Sequence, residues 1–183
     1  MSLPYGLLGL LNYQESTGYE LTKMFEDSLN NFWYAQSSQI YRELDRMETM
    51  GWVYSKNVVQ DKRPNKRVYA ITDDGRHVLD EWLTSTDIDF ERPHEPFLMK
   101  LFFGAKFPEI TIEWLEKCRD MCQEALAYFP KEVPEVIAEY AKMIPNGEFE
   151  SQFWRMTLEY GIAQTKMTAE WAQTCLDRLE GKK

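Results

Sequence analysis

Residues 36–51 read QSSQIYRELDRMETMG, and residues 52–75 continue WVYSKNVVQDKRPNKRVYAITDDG. In the first segment Ile40, Leu44 and Met47 stand at i, i+4 and i+7, one apolar stripe of a helix. Gln39, Arg42 and Arg46 fall on a different face. Gly51 is placed to stop that helix in the left-handed conformation. Residues 52–60 and 67–71 are rich in β-branched and aromatic side chains and predict two strands. Pro64-Asn65 punctuates the turn between them, and Lys62, Arg63 and Lys66 make its tip cationic. Thr72 then caps a further helix with Asp73 and Asp74 in its first turn, where the helix dipole favours carboxylates. Leu79, Trp82 and Leu83 predict the apolar stripe of that helix. A helix followed at once by a two-stranded hairpin with a basic tip is the layout of a winged helix-turn-helix.

Working outward towards the start, Leu3, Leu7, Leu8, Leu10 and Leu11 lie close to helical spacing, and Pro4 is tolerated in a first turn. Thr17 and Glu20 have the spacing of a capping box. The helix they open should bury Leu21, Met24 and Phe25. A polar and aromatic connection containing Phe32, Trp33 and Tyr34 leads to residue 36.

Towards the end of the chain, residues 84–96 change character, with Ser85-Thr86-Asp87 followed by Pro93 and Pro96, and predict a linker. Beyond it the strand signals vanish. Residues 95–107, 111–129, 134–143 and 148–179 each predict a helix, separated at Pro108, Pro130 and Pro145-Asn146-Gly147. The expected organisation is therefore mainly α, with a DNA-binding unit over residues 1–86 and a helical dimerisation unit over residues 94–183. The last helix spans about 45 Å at 1.5 Å per residue. Phe149, Phe153, Met156, Tyr160 and Met167 line one side, and Trp154, Leu158, Ile162, Trp171 and Leu179 widen the apolar surface to another. A helix apolar on more than one side is either buried within a monomeric bundle or shared with a second chain. The second reading takes Phe153, Trp154, Leu158, Tyr160, Met167 and Trp171 as dimer contacts.

Composition sets the outer limits. With 44% hydrophobic and 14% aromatic residues the chain can bury a core. No apolar run reaches the roughly 18 residues that span a bilayer, and the start MSLPYGLLGLLNY lacks the features of a signal peptide. Three cysteines, Cys118, Cys122 and Cys175, make no disulfide framework, and a reducing, cytoplasmic setting is expected. Cys118 and Cys122 could share a helix face, but without a nearby histidine they form no zinc motif, and no metal or cofactor is expected. His77 and His94 have no nucleophile or carboxylate at a diagnostic spacing, and no phosphate-cradling glycine loop occurs, so the chain is not expected to be an enzyme.

Net charge is −9, but unevenly spread. Between residues 35 and 67 seven basic groups (Arg42, Arg46, Lys56, Lys62, Arg63, Lys66, Arg67) meet four acidic ones (Glu43, Asp45, Glu48, Asp61), so that stretch is +3 and the remainder −12. This is a modest electrostatic footprint for nucleic acid. Screening limits repulsion by the acidic remainder to about 10 Å at 0.1 M salt. Gln36, Ser37, Ser38, Gln39 and Arg42 near a helix start can reach base edges in a major groove. Tyr41 and the hydroxyls can bond phosphates, Arg46 lies one turn further on, and Lys62, Arg63 and Lys66 can follow the backbone or minor groove.

These segments together resemble the PadR-like family of winged-helix transcriptional regulators. The resemblance runs through Leu3 to Leu11, Gly18-Tyr19-Glu20-Leu21, Phe32-Trp33, Ser38-Gln39-Ile40-Tyr41-Arg42-Glu43-Leu44, Gly51, Lys62-Arg63-Pro64, Tyr69-Ala70-Ile71-Thr72, Gly75, Leu79 and Trp82-Leu83. The stretch FLMKLFFG at 97–104 resembles the C-terminal domain of the family's longer members. The resemblance implies a homodimer held by C-terminal helices, each N-terminal unit on one half of a palindromic operator. It implies repression of transcription, with release by a small aromatic or hydrophobic effector in many members. It gives the reading role to Gln36, Ser38, Gln39, Tyr41 and Arg42 and the wing role to Lys62, Arg63 and Lys66. Trp52, Met47 and Met50 depart from the usual residues, away from the DNA face. Two other readings use the same residues. One is a small-molecule sensor built on Trp114, Trp154 and Trp171, and the other an adaptor that uses its winged helix for protein contacts.

Overall fold

The leucine-rich opening forms α1 (Leu3–Tyr13), with Pro4 in its first turn. The computed structural model describes residues 2–30, 32–58, 66–86 and 95–181. Contacts divide the chain into two units, Met1–Ile88 and Asp89–Lys183. In the first unit α1 is followed by β1 (Ser16–Thr17), α2 (Gly18–Ser28), α3 (Ser37–Thr49), β2 (Val53–Val58), β3 (Lys66–Ile71) and α4 (Asp73–Thr84). The capping box forms as expected: Glu20 N–H donates to the Thr17 hydroxyl at 3.2 Å, and Thr17 N–H donates to the Glu20 carboxylate at 2.9 Å. Leu7, Leu8, Leu21, Phe25, Ile40, Leu44 and Met47 are fully buried. Each aliphatic or aromatic side chain so buried contributes about 1.5–3 kcal/mol, so the stripe of α3 is what holds this helix to α1 and α2.

The expected two-stranded hairpin is a three-stranded antiparallel sheet in the order β1-β3-β2. The added strand is only two residues, pairing Ser16 with Tyr69 and Thr17 with Val68. It has no periodicity of its own; β3 recruits it because its other edge would carry unpaired N–H and C=O groups. β2 and β3 pair from Val53 with Ile71 to Val58 with Lys66. Residues 59–65, on which the expected turn with Lys62 and Arg63 falls, lie outside the described residues, as do residues 87–94, which include His94.

Gly51 has φ 75°, the left-handed stop anticipated at the end of α3. Only Gly75 and Leu79 of α4 are buried. Trp82 and Leu83, expected in its inner stripe, are exposed. The Trp82 ring lies flat on Tyr5 of α1, centroids 4.8 Å apart, so it covers the α1–α4 seam from outside.

The second unit contains α5 (Pro96–Phe102), a 3-10 turn at Gly104–Lys106, α6 (Pro108–Ala141) and α7 (Gly147–Leu179). Two helices were expected over 111–129 and 134–143; one helix of 34 residues runs through both Pro130 and Pro134. A proline withholds an N–H from the carbonyl four residues before it. Here the two defects are four residues apart and fall on one face, while packing along α7 retains the helix. α6 and α7 join through Asn146, whose φ is 56°. A cluster of Leu115, Ala172 and Leu176, flanked by Phe97, Leu101 and Trp171, forms the core of this unit.

Candidate nucleic-acid interface

The start of α3 presents the residues that sequence reasoning singled out. Gln36 is the N-cap, and its N–H donates to the Gln39 side-chain oxygen at 2.8 Å. Gln39 thus closes the helix start, and its amide nitrogen is the donor left over. Ser37 and Ser38 take the first two helical positions, exposed, and neither hydroxyl has a hydrogen bond within the described residues. Capping is therefore not what occupies them. Arg42 folds back over the first turn, its Nε donating to the Ser38 carbonyl at 3.2 Å. It has no acidic partner among the described residues. Its terminal guanidinium nitrogens are left as donors beside the two serines.

Tyr41 anchors this head. A Cβ added at Gly18, the first residue of α2, would lie 2.4 Å from the Tyr41 ring. Glycine there lets the ring close over the start of α2, which brings the first turns of α2 and α3 together. Tyr41 nevertheless remains 42% exposed. Tyr19, beside Gly18, is 73% exposed on the same helix start.

The second half of α3 is bound to the wing by a charged network. Ser55 of β2 donates to the Glu48 carboxylate through its N–H at 3.0 Å and its hydroxyl at 2.6 Å. Arg67 of β3 pairs with Glu48, reaches Asp45 at 3.3 Å, and donates its Nε to the Ser55 hydroxyl at 2.9 Å. Its guanidinium also covers the Tyr69 ring at 4.9 Å. This fixes the angle between wing and helix, and it places a cation beside Asp45 on the exposed stripe of α3. Sequence reasoning counted Arg67 only towards net charge. The signal was present in Asp45 and Glu48, two carboxylates one turn apart that face the following strands.

Most of the basic patch is engaged within the unit. Arg46 pairs with Glu43 at 2.8 Å, Lys56 pairs with Glu15, and Lys66 stands 3.9 Å from Glu20. Surface pairs of this kind are worth little and exchange readily with other anions, so Arg46 and Lys66 stay available to a phosphate. Lys62 and Arg63 lie outside the described residues.

Residues 7–81 match the Transcriptional regulator PadR-like family, and residues 93–180 match the Virulence activator alpha C-term family. The first unit therefore carries a PadR-like domain, and the second unit the domain of that second family. It is similar to the Negative transcriptional regulator PadR of Bacillus subtilis, 28% identical over 146 residues, 80% of this chain and 77% of that protein. It is 47% identical over 83 residues to the Probable transcriptional regulator Rv1176c of Mycobacterium tuberculosis, 45% of this chain and 44% of that one. The crystal structure of B. subtilis PadR in complex with operator DNA superposes with TM-score 0.80 over 98% of each chain at 24% identity, a likeness of fold.

The second unit presents a long apolar surface. Phe153, Tyr160 and Met167 of α7 are exposed, as are Phe149 and Met156 beside them. Trp154 and Leu158 are half-buried. Trp171 is different: its ring meets Phe97 edge-on at 6.3 Å and packs on the chain's own cluster. No helix among the described residues is long and apolar enough to cross a membrane.

The network of this PadR-like unit carries a pH dependence. The hydrogen bond from the Ser55 hydroxyl, with Arg67 beside it, holds the Glu48 carboxyl below the usual carboxylate range despite partial burial. Backbone and hydroxyl hydrogen bonds from Thr17 do the same for Glu20. A carboxyl with a depressed folded pKa stabilises fully above its unfolded value, about 4.3 for glutamate, and loses that contribution as pH falls through the folded value. The urea midpoint of this unit is therefore expected to fall as pH drops below about 4.3. Glu48→Gln should flatten that fall. A midpoint with unchanged acid sensitivity in the variant would show that Glu48 is not a source of it.

Proposed function

We propose that this chain is a transcriptional repressor that binds a palindromic operator as a homodimer and is released by a small aromatic or hydrophobic effector. The observation that carries the reading is the head of α3. Ser37, Ser38 and Arg42 stand exposed at the start of a helix whose opposite stripe is fully buried and whose far end is tied to the wing. Donors held so rigidly suit a major groove, where an arginine can take both acceptors of a guanine. Lys66 and Arg46, and the wing tip with Lys62 and Arg63, suit phosphates, which fix register without reading sequence. Gln36, Gln39 and Tyr41 complete the surface. Such a role belongs in the cytoplasm and calls for no catalysis.

Repression is supported by the name of the B. subtilis relative, a negative regulator. An effector of phenolic type is supported by a structure of that protein with p-coumaric acid, 22% identical to this chain, TM-score 0.66 over 97% of it and 95% of that chain. The dimer reading rests on the exposed side of α7, with Phe153, Tyr160 and Met167 outward and Trp154 and Leu158 at its margin.

The test is binding to the DNA upstream of the chain's own gene, by fluorescence anisotropy at several salt concentrations. Arg42→Ala is expected to cost about 1–3 kcal/mol on the specific site only. Lys66→Ala should weaken all sequences alike and reduce the salt slope by about one. Folded protein that binds no DNA at low salt would favour the adaptor reading. Tryptophan quenching by phenolic acids, with release of bound DNA, tests the effector.

A further inference from the structure

Cys118 and Cys122 lie four residues apart on α6, one turn above the other, and both are half-buried. Cys118 packs against the cluster of Leu115, Ala172 and Leu176, and Cys122 follows it one helical turn on. Cys175 reaches the same cluster from α7. Nothing in the DNA-binding function uses these thiols.

We propose that Cys118 and Cys122 form a chelating dithiol site for trivalent arsenic compounds of the type R–As(OH)2. Residues four apart on a helix have their Cβ atoms about 5–6 Å apart, whereas a disulfide requires about 3.5–4.5 Å. A direct sulfur–sulfur bond would therefore break the helical turn. A bridge through one further atom spans the pair without doing so. Soft thiolate ligands select soft centres. Among the described residues no group of three or more His, Cys, Asp and Glu is placed to hold a metal ion, so a centre that demands four protein ligands is not served here. An arsenic that brings its own organic substituent needs only two.

The reaction balances without an oxidant. Each thiol forms one sulfur–arsenic bond, each displaced hydroxide leaves with that thiol's proton as water, and arsenic stays trivalent. Burial pushes the Cys118 thiol up, and the neighbouring Cys122 adds to it. The thiol is thus kept protonated near neutral pH, which slows alkylation by single-site reagents. The condensation needs no net deprotonation. Once one sulfur is bound, the second is intramolecular, which gives the pair an advantage over any free monothiol.

The probe is phenylarsine oxide added to the full chain, read by intact mass under non-denaturing conditions. One adduct of the reagent less one water is expected. It should survive excess mercaptoethanol and be removed by a small dithiol. Cys118→Ser or Cys122→Ser should abolish it, and Cys175→Ser should leave it in place; Cys118→Ala serves if the serine variant does not fold. An adduct lost in Cys175→Ser, or kept in a folded Cys118 or Cys122 variant, overturns the assignment. So does no adduct on a native chain whose three thiols all react with maleimide after unfolding.

Discussion

Replacing Phe153 and Tyr160 together with glutamate is expected to convert the dimer to monomer and to lower operator affinity by about 10²–10⁴-fold at fixed salt. Both side chains are exposed on α7, 50% and 67%, two turns apart. In a single chain the substitutions touch no core, and surface changes of this kind stay within about 0.5 kcal/mol. In a dimer they place four carboxylates in an apolar seam, where unpaired charge is costly. The two heads then bind independently, and the second no longer benefits from the first being anchored. Sedimentation should show the mass halved, circular dichroism should be unchanged, and the salt slope of each remaining head should be about half that of the dimer. A variant that stays dimeric with native operator affinity would place the seam away from this side of α7. Trp171→Ala is the contrasting change: its contact with Phe97 makes it a core truncation, costing about 3–5 kcal/mol at full burial and less at its partial exposure.

What could be read from the sequence divides along the line between local and non-local causes. The stripe Ile40, Leu44 and Met47, the Thr17–Glu20 box and the stop at Gly51 each depend on residues within one or two turns, and each appears as expected. The strand at Ser16–Thr17 does not, because two residues carry no period and its pairing partner is more than fifty positions away. Nor does the continuity of α6. The local cost of an interior proline, about 3 kcal/mol, predicts a break at Pro130, and only the length of helix packed on α7 outweighs it. At the site itself the exposed serines and Arg42 were legible from the helical face they share. Charge was not. A count over residues 35–67 suggests a basic patch, yet Arg67 of β3 pairs with Asp45 and Glu48 of α3, and Lys56 with Glu15. The electrostatic footprint is therefore narrower than the count, centred on Arg42 and on cations in weak surface pairs.

Gly75→Ala is expected to destabilise the first unit by about 2–3 kcal/mol, against the ordinary sign of such a change. Alanine is about 1 kcal/mol better than glycine inside a helix, and Gly75 sits in the first turn of α4 with no positive φ to require it. The obstacle is backbone. An added Cβ would lie 2.1 Å from the Trp52 carbonyl oxygen. That oxygen cannot turn aside, because it accepts from the Thr72 N–H at 3.0 Å, while the Thr72 hydroxyl, donating to the neighbouring Gly51 carbonyl at 2.6 Å, lies 3.0 Å from it. The same hydroxyl accepts from Gly75 N–H at 3.0 Å, so the cap of α4 and the first residues of the wing are one hydrogen-bonded unit. Relief of the clash must push α4 from the sheet, which disturbs Leu79 and, through Trp52, the stop of α3. The urea midpoint should drop with an unchanged slope, and operator binding should weaken as the wing loses its angle. Gly9→Ala in α1 is the internal control: nothing lies within 4 Å of its added Cβ, so the same substitution should there be neutral or stabilising by up to about 1 kcal/mol. Equal effects at the two positions would mean that the closeness of α4 to Trp52 does not limit the fold.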